Sequence, residues 1–286
     1  MQVLKTISEI QYWRKKISEQ NPDAKIGFVP TMGYLHAGHL ELVKQCRKEN
    51  EICIVSIFVN PVQFNDPEDL EKYPRDLTRD IYLLKSTDVD VLWAPSSAEI
   101  IGSRKPEIVL DYPHLTNKLC GAFRPGHFSG VLWIVHNLFY WIAPHRAYFG
   151  LKDYQQYLLI KKMTQDFRFP IEIIPHPIVR DPDGLALSSR NARLTPGGRI
   201  KALSLSKALF AAKTIFEGKE IVLAKDLKEA LLSRLTQVKV EYAGCYHPET
   251  LEELPLESVV KEVLLAIAAY VDEVRLIDNL LLSKKT

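Results

Sequence analysis

Residues 30–39 read PTMGYLHAGH. An apolar run holding Ile26, Phe28 and Val29 leads into them, and an amphipathic run, LELVKQC, follows over residues 40–46. Gly27, Pro30 and Gly33 punctuate the join, so the order predicts strand, tight turn, helix. His36 and His39 lie three residues apart and share one face of that helix. Gly38 between them leaves room for close approach to the backbone. A helix start adds unpaired N–H groups and the positive end of a dipole. Two imidazoles, a glycine and a helix start suit a polyphosphate. The pair alone is also compatible with half of a metal site or with two ordinary polar residues, and no short motif supplies the further ligands a metal needs.

Working outward, residues 52–59, ICIVSIFV, are nearly continuously apolar and predict a strand buried on both faces of a parallel sheet. Strand, helix and strand at this spacing make a βαβ unit. Its second strand runs into Asn60, Pro61, Val62 and Gln63. Ligands of open α/β sheets lie beyond the carboxyl ends of strands, which places Asn60 and Gln63 for a small polar substrate or, more simply, as turn formers. Further helices are predicted over residues 7–18, 77–86 and from Gly130 through Trp141, and strands over residues 25–29, 89–94, 146–149 and 171–175. Arg124 in the turn RPGH can hold an anionic ligand or cap a loop. Gly150, Lys152 and Asp153 repeat the pattern of a strand end before a helix start, with Gln156 on the helical face of Lys152. Residues 199–217 and 223–236 predict surface helices, and 238–242 and 274–276 strands. The reading is an α/β protein: a parallel-sheet domain over residues 1–178 and a smaller α+β domain over 179–286.

The 286 residues carry a net charge of +2, with 47% hydrophobic and 25% charged residues. That balance gives no footprint for nucleic acid or a membrane surface. Four scattered cysteines without a C-x-x-C pair read as reduced, packed thiols. Neither a signal peptide nor a membrane span is predicted, which implies a cytoplasmic location.

Past residue 180, DGLALSSRN holds Ser188, Ser189 and Arg190, a cluster similar to the mobile loops of class I aminoacyl-tRNA synthetases that hold ATP phosphates. The strings PTMGYLHAGH, FVNPVQF, YPR, FRPGHFSGV, FGLKDYQQ, DGLALSSRN and RLIDN, in order along the chain, resemble the pantothenate synthetase (pantoate–β-alanine ligase) family, within the HxGH nucleotidyltransferases. The resemblance implies that the first domain is Rossmann-like, and implies a homodimer that adenylates pantoate with ATP and Mg²⁺ and passes the pantoyl group to β-alanine. It implies phosphate contacts by His36, His39, Lys152, Ser188, Ser189 and Arg190, and places Pro30, Gly150, Asp153 and Val179 at the nucleotide. Gln63 and Gln156 are implied to hold pantoate, with Met32, Ile134 and Val135 as its apolar wall. Asn60, Tyr73 and Arg124 belong to the same region, and Asp80 to Mg²⁺ through water. The chain departs from the family pattern at Trp133, Asn137, His145 and Leu151, and Trp133 bears on the fit of pantoate. Rival readings are an adenylyltransferase that joins AMP to a phosphate-bearing substrate and stops, an RNA-binding or synthetase-like module, and a metal-dependent hydrolase using His36 and His39.

Overall fold

A strand with no polar face is stable only where both faces are covered, and Ile52–Ile57 is buried along nearly its whole length. The computed structural model describes residues 1–103 and 106–284. It divides into two units. The first comprises Met1–Pro113, Arg124–Leu151 and Gln156–Pro177, and the second His114–Phe123, Lys152–Gln155 and the chain from Ile178 on.

Among the described residues of the first unit, six parallel strands form one sheet: β1 (Gln2–Leu4), β2 (Ile26–Thr31), β3 (Ile52–Ile57), β4 (Val91–Trp93), β5 (Arg146–Gly150) and β6 (Glu172–His176). Their order is β1-β4-β3-β2-β5-β6. The order turns back between β2 and β5, which pair at Gly27↔Arg146 and Phe28↔Ala147. This is the topological switch point at which doubly wound sheets bind ligands. Helices α1 (Ile7–Gln20), α2 (Ala37–Glu49), α3 (Leu77–Leu84), α4 (His127–Ile142) and α5 (Tyr154–Asp166) belong to the same layered pattern. α1 starts with a reciprocal cap: Thr6 Oγ1 accepts from Glu9 N–H at 3.1 Å and Glu9 Oε2 from Thr6 N–H at 2.9 Å. α2 buries Leu42, Val43 and Cys46 in a core shared with Val29, Cys53, Val55, Leu92 and Tyr148.

Among the described residues of the second unit, an antiparallel sheet runs β7 (Lys239–Tyr246), β8 (Glu262–Val271), β9 (Val274–Ser283) in that spatial order. Helices α6 (Pro196–Gly218) and α7 (Ala224–Arg234) pack on it through Leu205, Leu209, Ala212, Phe216, Leu227 and Leu231. These helices are therefore half-embedded where the sequence suggested surface helices. The alanines at 202, 208 and 212 blur the apolar stripe in the sequence, yet they are what lets α6 lie close to its neighbours. β8, EVLLAIAAYV, has no counterpart in the sequence reading; its leucines and alanines favour helix in isolation, and the sheet overrides them. All four cysteines are free and buried, as expected. No helix among the described residues is long and apolar enough to cross a membrane.

Gly27 shows how tightly α2 sits on β2. A Cβ there would lie 2.4 Å from Asn50 Nδ2 and 2.5 Å from Cys46 Sγ. Gly27→Ala is expected to cost about 1–3 kcal/mol through overpacking, read as a lowered urea midpoint with an unchanged m-value.

Candidate functional site

The turn from β2 to α2 has an unusual hydrogen-bond pattern. Four successive backbone amides are met by side chains. Gly33 N–H donates to Thr31 Oγ1 at 3.1 Å, Tyr34 N–H to Asp80 Oδ2 at 2.7 Å, Leu35 N–H to Asp80 Oδ1 at 2.7 Å, and His36 N–H to His39 Nδ1 at 3.3 Å. Thr31 Oγ1 in turn donates to the Ser56 carbonyl at 2.8 Å, which fixes the turn to β3. Gly33 (φ 80°) and Tyr34 (φ 50°) are both left-handed. His36 is then the N-cap of α2.

His36 and His39 stack with ring centroids 3.9 Å apart. Because His39 Nδ1 accepts a hydrogen bond, the neutral ring carries its proton on Nε2 and presents that N–H as a donor. The α2 start adds the Ala37 and Gly38 amides and the positive dipole end. The expected pair is thus brought together at a helix N-terminus, in a form suited to an anion. Pro30, half-buried in β2, and Gly150, at the end of β5, occupy the neighbouring strand ends of the switch point.

Beyond β3, the turn Pro61–Gln63 is built around Asn60, which is 1% exposed. Asn60 Oδ1 accepts from Val62 N–H at 3.2 Å, and its Nδ2 donates to Gln63 Oε1 at 3.1 Å and to the Gly130 carbonyl at 3.0 Å. Asn60 therefore shapes the turn, the simpler of its two readings, and also orients the Gln63 carboxamide. Gln63 Nε2 donates to Met32 Sδ at 3.2 Å, so Gln63 and Met32 form one surface. His127 was not singled out by the sequence, yet it holds the same turn: its Nδ1 donates to the Gln63 carbonyl at 2.7 Å. Arg124 Nη1 donates to His127 Nε2 at 3.2 Å, and Arg124 Nη2 lies 3.4 Å from the Gln63 carbonyl. The signal for His127 was present in the string FRPGHFSGV but carried no partner. Gly130 has a packing reason: a Cβ would meet the Val62 carbonyl at 2.7 Å. Ile134 and Val135 are buried on α4, and Tyr73 is buried edge-on to Phe64, centroids 5.6 Å apart. Gln156 is half-buried on α5. An open cavity of ≈ 340 Å³ is walled by Met32, Gly33, Tyr34, Ile57 and Asp80.

Asp80 is 1% exposed. Burial pushes its carboxyl above the usual carboxylate range, and the Leu35 and Tyr34 amides pull it back. Both its oxygens are engaged by backbone. Among the described residues, no group of three or more His, Cys, Asp or Glu is placed to hold a metal, so no cage joins His36 and His39.

In the second unit, Lys152 and Asp153 lie in the short turn Leu151–Asp153 ahead of α5. Lys152 thus precedes the helix on which the spacing had placed it together with Gln156. Lys152 Nζ is 3.7 Å from Asp153 Oδ1, and the Lys152 carbonyl accepts from Asn279 Nδ2 at 2.8 Å. Asp278, beside it on β9, is 3% exposed and takes a two-point bond from Arg180 at 2.6 and 2.8 Å. Burial raises the Asp278 carboxyl, and Arg180 opposes that rise. Arg180 also donates to the Gly184 carbonyl at 3.1 Å, and Leu187 N–H to the Val179 carbonyl at 3.0 Å. That hairpin leads to Ser188, which caps the turn Ser189–Arg193 by accepting from Arg190 N–H at 3.3 Å. The RLIDN string thus supports both the Lys152 turn and the Ser188–Arg190 loop, a link invisible at that sequence separation.

The Pantoate-beta-alanine ligase family profile matches residues 2–281. Pantothenate synthetase of Thermotoga neapolitana is 47% identical over 287 residues, covering 99% of this chain and 100% of that protein. Pantothenate synthetase of a Thermoanaerobacter species is 48% identical over 94% of this chain and 95% of its own. The crystal structure of pantothenate synthetase from Thermus thermophilus superposes with a TM-score of 0.88 at 42% identity, over 98% of this chain and 99% of that one. A crystal structure of pantoate-beta-alanine ligase from Francisella tularensis, complexed with beta-gamma ATP and beta-alanine, matches with a TM-score of 0.79 at 38% identity, over 98% of this chain and 97% of that one.

Removing one partner of a buried ion pair leaves the other charge uncompensated. Asp278→Ala is expected to cost about 3–5 kcal/mol and to speed amide hydrogen exchange across residues 178–193, measured by mass spectrometry.

Proposed function

The chain belongs to the pantoate-beta-alanine ligase family, and on that premise we propose how its residues divide the work of joining pantoate to β-alanine at the expense of ATP. In the first step a pantoate carboxylate oxygen bonds to the α-phosphorus of ATP and pyrophosphate leaves. In the second, the free amine of β-alanine attacks the acyl carbon, the bond to AMP breaks, and the amine gives up a proton. A carboxylate cannot be displaced directly because its leaving group would be oxide; AMP departs readily.

The observation that carries the assignment is the stacked His36–His39 pair at the N-terminus of α2, with an N–H donor fixed on His39 Nε2. Adenylation builds charge on phosphate oxygens, and donors already in place stabilise it without reorganisation. Lys152, Ser188, Ser189 and Arg190 are assigned as further phosphate donors, with Asp153 and Val179 at the nucleoside. Gln63 and Gln156 are assigned to the pantoate hydroxyl and carboxylate, and Met32, Ile134 and Val135 to its methyl groups. The Gln63–Met32 contact supports this, because one surface then offers both an amide and an apolar wall. No side chain is required as a covalent nucleophile.

Mg²⁺ prefers phosphate oxygens and few carboxylates, so it would enter with the ATP and not through a dedicated protein site. Bound there, it would neutralise charge on the departing pyrophosphate. A homodimer and a cytoplasmic setting accord with the family reading.

The deciding experiment is a product assay with ATP, Mg²⁺ and pantoate, with and without β-alanine. Pantothenate and AMP formed only with β-alanine, together with pyrophosphate, are expected; pyrophosphate exchange with no β-alanine-dependent product would point to a different acceptor. His36→Ala and Lys152→Ala should each cost about 3 kcal/mol or more of transition-state stabilisation in adenylation, read as loss of kcat/KM for pyrophosphate release. Gln63→Ala should raise the KM for pantoate and leave ATP binding nearly intact, measured by calorimetry.

A further inference from the structure

The His36–His39 pair is delivered by a turn whose two middle amides, Tyr34 and Leu35, are held from outside it. Gly33 and Tyr34 are consecutive left-handed residues, and Tyr34 is not a glycine. A side chain adopts that conformation only when its surroundings over-determine it. Here the surroundings come from a helix 45 residues downstream. Asp80, in the first turn of α3, reaches across with one oxygen on Tyr34 N–H and the other on Leu35 N–H, each at 2.7 Å. Its neighbour Arg79 closes the other side: Nη1 donates to the Leu35 carbonyl at 2.9 Å, and the guanidinium carbon lies 4.9 Å from the Tyr34 ring centroid. Gly33 is fitted to the same carboxylate, since a Cβ there would stand 3.1 Å from Asp80 Oδ2 and 2.9 Å from Ile57 Cγ2.

We propose that Asp80 is a positioning residue for the histidine pair: its buried carboxylate clamps the Tyr34 and Leu35 amides and thereby sets the direction in which α2 presents His36 and His39. This rests on the reading of that pair as the phosphate seat. The carboxylate is needed for its chemistry as well as its shape. Two adjacent backbone donors call for two acceptor atoms, and only an ionised carboxylate offers one on each side. Asn at this position would keep the shape but turn an NH₂ group toward one of the amides, donor against donor. The turn would relax, and displacement of the seat by an ångström is enough to lose most of its benefit.

The test is Asp80→Asn, assayed for pantoate-dependent ATP–pyrophosphate exchange beside the unaltered protein. The expected result is a kcat lowered about 100-fold, with the KM for pantoate and the Mg²⁺ concentration for half-maximal rate both unchanged. A kcat close to that of the unaltered protein would overturn the proposal by making the clamp merely structural. A marked rise in the Mg²⁺ requirement would also overturn it, by making Asp80 a metal residue. If the unaltered protein itself shows no pantoate-dependent exchange, the phosphate-seat reading fails instead. A second measurement does not depend on the variant folding. In the unaltered protein, the Tyr34 and Leu35 amide protons should resonate downfield and exchange slowly; exchange as fast as open-loop amides would refute the clamp.

Discussion

Everything at the candidate site of the first unit depends on how the chain leaves β2. A strand that ends beneath a helix start must satisfy several backbone amides within a few residues, at a place where its own carbonyls point elsewhere. The protein meets the demand with side chains drawn from Thr31, Asp80 and His39. A buried amide left without an acceptor costs about 1–3 kcal/mol, so these acceptors leave the turn little freedom. His39 serves twice: Nδ1 braces the His36 amide and thereby leaves the neutral ring's proton on Nε2, so the same bond that stabilises the helix start also sets the chemistry of the ring.

The Gln63 turn follows a related logic with different materials. Asn60, His127 and Arg124 surround it with hydrogen bonds, and Gly130 lets α4 approach the Val62 carbonyl. His127 donates to a carbonyl through Nδ1, which leaves Nε2 as acceptor for an arginine that can only donate. In the second unit, Asp278 and Asn279 anchor the hairpin and the Lys152 turn. In the first unit the Gln63 carboxamide is thus oriented by buried polar contacts, and in the second the backbone of the Lys152 turn is held in the same way.

The sheet architecture was legible because parallel strands buried on both faces leave continuous apolar runs, as in residues 52–57, and because glycine, proline and histidine mark the turn after β2. The juxtaposition of His36 and His39 was legible from spacing, while their role was left open by it. Asp80 was not, because its partners are 45 residues away and a carboxylate in a helix reads equally well as a ligand. His127 and Asp278 lay within quoted motifs, but motif matching gives a residue no partner. β8 was missed because leucine and alanine carry little strand signal, and the short β1 because three residues show no periodicity. The embedding of α6 was missed because alanines look neutral until a neighbouring element closes on them.

β1 also has a bearing on the order in which the sheet is assembled. Gln2, Val3 and Leu4 pair with Val91, Leu92 and Trp93, so this strand is made well before its partner and must wait for nearly ninety residues. Until then the segment has no neighbour to bind, while β2 and β3 can already associate through a crossover of ordinary length. β4, once made, is met on one side by β3 and on the other by the waiting β1, which covers an edge otherwise open to pairing with another chain. Residues at the start of the chain thus find their place only when β4 exists, and they then cover its open edge.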